Sequence, residues 1–328
     1  MKSIFLFCFS ILVYSQTSFS AEDPRDQSNT KAFIGQLVEQ HGFQRPQLEK
    51  LFKQVRIKKS IIRAMNRPAE SKPWYDYRKI FVTEKRIRGG VKFWKENQTL
   101  LSKVEKQYGV AAQIIVAIIG VETGYGENTG SFRVIDALAT LAFNYPRRSQ
   151  FFSKELEQFL ILCREENIDP LKPIGSYAGA MGLPQFMPSS FRKYAQDLDQ
   201  DGKRDIWHNR GDVIASVAYY FQKHGWRTTA TVAFPVTAAG VNYDTLITKD
   251  LKPEKTVAEM KSAGITIPAD IGIDDKARLI KLENQWGSNY WLTLHNFYVI
   301  TRYNHSTLYA MAVYQLSQEI LDSRLVAK

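Results

Sequence analysis

The feature that most constrains this chain is the run Ile114-Ile115-Val116-Ala117-Ile118-Ile119-Gly120-Val121-Glu122-Thr123-Gly124. Apolar residues fall on every side of a helix drawn through it, so the helix has no face suited to water and must be wrapped by other elements. Gly124 supplies the stop, because glycine readily takes the left-handed conformation that closes helices. Glu122 then lies in the last turn of a buried helix. Desolvation disfavours its charged form, and the negative end of the helix dipole disfavours it again. A carboxyl placed so keeps its proton near neutral pH, which is what a general acid requires. On this segment alone the plainer reading, a solvated glutamate at a frayed helix end, stays open. Glu127 falls in a Gly/Asn-rich stretch and reads as solvated.

Helical patterning extends on both sides. Asn29-Thr30 can cap a helix that stops at Gly42, and Pro46 suits the first turn of the next. A longer amphipathic helix is expected over 84–107, ended by Gly109. Further helices are expected over 133–143, 149–166, 189–196, 212–224 and 306–322. Residues 229–300 change character: 231–234, 241–243, 278–282 and 290–294 are rich in β-branched and aromatic residues and read as strands, with one short helix near 256–263. The fold class is therefore α+β, mostly helical. The divisions are a leader (1–20), an N-terminal helical region (21–108), a core (109–228), a small β-rich subdomain (229–300) and a C-terminal helix (301–328) that returns to the helical part.

The leader has Lys2, an apolar run from Ile4 to Tyr14, and small residues at Ser18 and Ser20. That run is too short to span a bilayer, and its flanks fit an export signal cleaved after Ser20. No later stretch is long and apolar enough for a transmembrane segment. Cys8 has no lipobox around it, so lipid anchoring is not expected, and the mature chain is expected to be soluble and periplasmic. It would keep one cysteine, Cys163, in an apolar helical stretch; a disulfide within it is excluded, and a packed thiol is the simplest reading. The formal charge of +11 drops by the one charge of Lys2 on export. An exported basic surface rarely meets nucleic acid; the carboxylates of cell-wall peptides are the better match.

Two further segments carry chemistry. Residues 174–190 are dense in glycine and small residues, which lets the backbone approach a ligand closely; Ser176 and Gln185 can hydrogen-bond a polar one. The segment lacks the G-x-S-x-G elbow and the Gly-Lys-Ser/Thr of a phosphate loop. Tyr77, Tyr125, Tyr220 and Tyr303 are candidate platforms for sugar rings, although each alone is as readily core packing. Residues 197–208 follow the EF-hand pattern: Asp197, Asp199, Asp201, the Lys203 carbonyl and Asp205 stand at positions 1, 3, 5, 7 and 9, with Gly202 at position 6. His208 replaces the bidentate glutamate of position 12, so a weak structural Ca²⁺ site is expected. His41, His208, His224, His295 and His305 show no zinc-binding spacing, and no catalytic cofactor is expected.

In order along the chain, Gly120-Val121-Glu122-Thr123, Asn144-Tyr145-Pro146-Arg147-Arg148, the glycine-rich segments 175–182 and 185–190, His224-Gly225-Trp226 and residues 296–306 together resemble the lytic murein transglycosylase B family. The resemblance spans about residues 30–320. It implies a lysozyme-like core with a helical companion region and a small β subdomain, acting on peptidoglycan glycan strands. It implies Glu122 as the single catalytic carboxyl, cleaving the MurNAc–GlcNAc bond without water to leave a 1,6-anhydro end. It also implies that Ser176 meets the substrate near its acetamido group, and that Tyr77, Arg147, Arg148, Gln185, Tyr220, Tyr303 and Asn304 line the cleft. The arginines would pair with peptide carboxylates or orient Glu122. Two departures stand out. Leu183-Pro184 occupies a place where the family more often has an aromatic-Gly pair, and His208 stands where it usually has an acid. A hydrolytic muramidase and a non-catalytic wall-binding protein are the alternatives; protein partners are not readable.

Overall fold

The computed structural model describes residues 28–66, 72–239 and 243–326. The expected leader, and Val241-Asn242 of the expected strand at 241–243, lie outside the described residues. The chain forms two compact units that divide between Ile57 and Lys58. In the first, α1 (Ser28–His41) and α2 (Arg45–Phe52) pack through Phe33, Ile34, Leu37, Leu48 and Phe52. Phe33 and Phe52 meet edge to face at 6.0 Å.

The second unit begins with α3 (Lys59–Met65), α4 (Trp74–Phe81), α5 (Glu84–Glu96), α6 (Gln98–Tyr108) and α7 (Ala112–Thr123). The single helix expected over 84–107 is thus two. The break is at Asn97, whose side chain donates to the Phe93 carbonyl at 2.8 Å. This local bond competes with the helical ladder, and asparagine is prone to it. The long element α7 is the apolar run that dominates the sequence. Ile115, Ile118 and Ile119 have no exposed surface, and each contributes roughly 1.5–3 kcal/mol of burial. Its neighbours are α5, α6, α11 (Arg210–Lys223) and α14 (Thr307–Val326).

Between α7 and α11 run β1 (Phe132–Arg133), α8 (Val134–Asn144), α9 (Ser149–Glu165), β2 (Ile174–Gly175) and α10 (Pro188–Tyr194). Strands β1 and β2 form a small antiparallel pair beside the glycine-rich segment. Cys163 is buried in α9 and its thiol is pushed up to about 12 by burial, an inert packed group.

A five-stranded antiparallel sheet follows, in the order β4 (Lys255–Thr256), β6 (Lys276–Asn284), β7 (Gly287–Thr293), β3 (Ala233–Ala238), β5 (Ile265–Thr266). Its core includes Val257, Met260, Ile265, Leu279 and Leu292 under α12 (Val257–Ser262). That helix starts with a capping box between Thr256 and Glu259. Four consecutive residues of β6, Ala277–Ile280, are buried, since both α12 and α4 pack on this strand. Tyr243 opens a 3-10 turn rather than a strand. A helix absent from the sequence reading, α13 (His295–Tyr303), connects the sheet to α14.

Candidate active site

Glu122 comes to its position through the way α7 ends. Gly124 adopts φ 58°, its N–H reaches the Gly120 carbonyl, and the Tyr125 N–H reaches that of Ile119. The bond from the left-handed Gly124 to the Gly120 carbonyl is the αL form of helix closure, and the Tyr125 bond adds a second tie across the last turn. Tyr125 then folds back over α7. A side chain at Gly120 would meet its hydroxyl oxygen at 2.4 Å, so only glycine fits there. The Tyr125 hydroxyl donates to the Arg86 carbonyl at 2.8 Å, while Arg86 Nε donates to the Gly120 carbonyl at 3.1 Å. Tyr125, a candidate sugar platform by sequence, instead clamps α5 to the end of α7.

The result is a glutamate whose carboxyl is buried while the residue keeps a partly open face. Burial raises its pKa from the ordinary 4.5 to about 7, and a hydrogen bond from Tyr309 opposes the rise. The Tyr309 hydroxyl donates to Glu122 Oε1 at 2.6 Å from the first turns of α14. Among the described residues no other carboxylate and no guanidinium alters its proton affinity. Tyr303 lies close enough for Glu122 to push its hydroxyl further above the ordinary value, and Tyr77 does the same to Tyr309. Tyr77 itself is buried between Trp74 and Phe81.

The glycine-rich segment is tied to the same helix end. Thr123 Oγ1 donates to the Leu183 carbonyl at 3.2 Å and accepts the Gly126 N–H. The Tyr303 hydroxyl donates to the Pro184 carbonyl at 2.7 Å. Leu183-Pro184 therefore meets both partners through main-chain oxygens, which any residue pair offers, so this departure from the family pattern leaves the ties intact.

A family model described as the transglycosylase SLT domain matches residues 25–318. The chain is a member of the lytic murein transglycosylase B family. It is 42% identical over 313 residues to the membrane-bound lytic murein transglycosylase B of Escherichia coli K12, covering 92% of this chain and 85% of that one. The soluble lytic transglycosylase SltB1 of Pseudomonas aeruginosa superposes with a TM-score of 0.87 at 48% identity, covering 90% of this chain and 99% of that chain. The Escherichia coli lytic transglycosylase Slt35 in complex with calcium superposes at 0.85 with 42% identity, covering 92% and 95%. The fold is that of the lysozyme-like lytic transglycosylases, and the activity is lytic cleavage of peptidoglycan glycan strands.

Several of this transglycosylase's sequence-derived site residues converge and others do not. Glu122, Tyr303 and Tyr77 cluster with Tyr309. Tyr220 adds a ring 4.8 Å from that of Tyr303, with its hydroxyl donated to the Arg302 carbonyl at 2.5 Å. Ser176 Oγ accepts the N–H groups of Ala178 and Ala180, and so holds its own loop in shape. The Gln185 amide donates to the carbonyls of Gly182 and Thr129. Asn304 is exposed just beyond α13. Arg147 and Arg148 are exposed in a 3-10 turn, and Arg148 lies over the rings of Phe151 and Phe152. The group that holds Glu122 is a tyrosine, not either arginine.

In the acidic loop, Asp197, Asp199 and Asp201 bring carboxylate oxygens within 4.8 Å of one another, a hard-oxygen cluster that fits a divalent cation such as Ca²⁺. Asp205 stands outside that cluster. Its Oδ1 receives the N–H groups of Trp207 and His208, both at 2.9 Å. Lys203 donates its N–H to Asp201 Oδ1, and His208 is exposed. Fully buried Asp212, in the first turn of α11, accepts from Leu198 N and Asp205 N and so pins both ends of the loop.

Sequence reasoning missed Tyr309, Thr123 and Asp212. For Tyr309 a signal existed: it precedes the buried run Ala310-Met311-Ala312-Val313, and a tyrosine buried beside such a run needs a partner for its hydroxyl. Nothing in the sequence said that the partner was Glu122, 187 residues away.

Proposed function

We propose that Glu122 is both the acid and the base of a one-carboxyl transglycosylation. Supporting this is one observation: a carboxyl at about 7, raised by burial alone, with no second carboxylate acting on it. Among the described residues no second carboxylate is coupled to Glu122, and a substrate that supplies its own nucleophile does not need one.

In the first half, Glu122 gives its proton to the oxygen that links C1 of N-acetylmuramic acid to the next sugar. The C1–O bond breaks as the acetamido carbonyl oxygen bonds to C1. In the second half, the Glu122 carboxylate takes the proton of the C6 hydroxyl, O6 bonds to C1, and the acetamido oxygen leaves. Glu122 ends protonated, no water is consumed, and a 1,6-anhydro end remains. Tyr309 holds Oε1 through both halves. Tyr77, Ser176, Arg147, Arg148, Gln185, Tyr220, Tyr303 and Asn304 line the cleft in this reading. Residues 109–228 are then the catalytic core, flanked by 21–108, by the β-rich 229–300 and by the returning 301–328.

The protein is exported to the periplasm by its first twenty residues, the compartment where its polymer lies. None of the described helices alone is long and apolar enough to cross a membrane. The loop at 197–208 holds Ca²⁺ weakly and structurally through Asp197, Asp199, Asp201 and the Lys203 carbonyl. Asp205 takes part only by releasing its two N–H donors.

Mass spectrometry of a digest of purified sacculi tests the central claim. Wild-type products are expected one water lighter than hydrolysed muropeptides, and Glu122→Gln should release none. Reducing-end products, or turnover by Glu122→Gln, would overturn it.

A further inference from the structure

Away from Glu122, a cavity of about 500 Å³ opens between α4, β3, the β6–β7 hairpin and the middle turns of α14. Its apolar surface includes Trp291 and Tyr314, whose rings meet edge to face at 6.2 Å. Asn284, Asn289 and Gln318 bring amides to it. Neither asparagine side chain makes a hydrogen bond among the described residues. The cationic side chain in the lining, Arg78, is already engaged by Gln315 and Glu319, and the other charge, Asp322, is negative. The cavity thus offers ring faces and amides but no free cation.

The β6–β7 hairpin that supplies both asparagines turns at Gln285-Trp286, closing on the pair Asn284–Gly287. Trp286 is 91% exposed. Its indole face is therefore open to a ring laid against it. Aromatic faces that cover the C–H side of a ring, together with amides that exchange hydrogen bonds, suit an uncharged sugar. An anionic peptide would find nothing here to pair with.

We infer that the β6–β7 hairpin and the cavity beside it form a second glycan-binding surface, taking N-acetylated sugar units of a peptidoglycan strand remote from the cleavage point. This rests on the peptidoglycan reading above. The surface would keep the enzyme on its insoluble polymer between cuts. Trp286 would close over a sugar at the hairpin turn, while Trp291 and the asparagines would receive the next unit.

Binding is measured in the Glu122→Gln protein, so that the polymer is not consumed. Sedimentation with purified sacculi gives the affinity, and chitotetraose serves as the soluble probe. Adding Trp286→Ala is expected to weaken sacculus binding roughly five- to tenfold, the size of one lost aromatic contact. Asn289→Ala, at an exposed position that leaves the sheet backbone unchanged, should weaken it about threefold. In ¹⁵N spectra the Trp286 indole signal should shift on adding chitotetraose. Unchanged sacculus affinity in both variants, or an indole signal indifferent to the sugar, overturns the inference. Failure of the functional reading shows elsewhere, as anhydro product released by Glu122→Gln.

Discussion

Two acidic sites in this protein are built on opposite plans. At the end of α7 a single carboxyl is withdrawn from water, kept away from other charges, and touched by one tyrosine hydroxyl. In the loop at 197–208 three carboxylates are gathered within 4.8 Å of one another, and two of them are exposed. The first arrangement raises proton affinity by removing solvent. The second leaves solvent in place and concentrates negative charge, which favours a cation over three protons. Their difference shows that the environment, not the residue type, decides whether an acidic side chain handles protons or metal ions.

Breaking the first site has the largest expected effect. Glu122→Gln keeps the shape and the Tyr309 contact but removes the transferable proton, and should cut turnover of sacculi by at least about 10³-fold, the middle of the range for loss of a general acid. The same substitution should stabilise the protein. With its folded pKa above the ordinary value, Glu122 binds its proton more tightly in the folded state. Its stability contribution is therefore complete below pH 4.5, is lost as pH rises toward about 7, and is flat beyond. The loss amounts to about 3 kcal/mol. Thermal melts at pH 8 should place Glu122→Gln about 5 °C above wild type, and melts at pH 4 should bring the two together. Equal melting at both pH values would mean that the carboxyl is solvated, and the contrast between the two sites would collapse.

Tyr309→Phe sharpens the contrast with a smaller effect. The hydroxyl lowers the Glu122 pKa against the pull of burial, so its removal should move the alkaline limb of kcat/KM upward from about pH 7. Loss of the bond that positions Oε1 should also reduce kcat by about tenfold, on the scale of one hydrogen bond to a charged group. A fall in kcat with no movement of the limb would assign Tyr309 to packing alone.

These expectations differ in how far they were visible beforehand. Burial of Glu122 was legible because an all-apolar helix has only one stable environment, and Gly124 marked where it ends. The mostly helical class and the hairpin strands within 276–293 were legible from periodicity and β-branched content. The break at Asn97 was not, because it depends on one local side-chain bond within an otherwise continuous pattern. The part played by Tyr125 stayed open for a similar reason: a tyrosine that clamps two helices over Gly120 looks, in sequence, like one that faces a sugar. Tyr309 and Thr123 act through partners 187 and 60 residues distant, and spacing in a single chain carries no record of such pairs. The aspartates at 197, 199 and 201 were legible since loop ligands lie close in sequence, but the diversion of Asp205 to two N–H groups depends on the loop's closed shape.

The smallest expected effect tests the second site. Its three carboxylates fit Ca²⁺, yet Asp205 is committed to Trp207 and His208, and His208 offers no bidentate oxygen. Binding should therefore be weak, in the range of extracellular modules, at about 10⁻⁴–10⁻³ M. At ten times the dissociation constant the folded state gains about 1.4 kcal/mol, equivalent to a rise in melting temperature of about 2 °C. Asp199→Asn, whose side chain already meets Asn209 Nδ2 at 2.8 Å, should abolish that rise while leaving the calcium-free protein close to wild type. His208→Glu should increase it, since it restores the missing oxygens at position 12. If His208→Glu gains nothing, the loop's limit is the engagement of Asp205 with backbone N–H groups rather than the residue at position 12. The plan of gathering charge in open water would then be restrained by the same kind of hydrogen bond that tempers the buried carboxyl of Glu122.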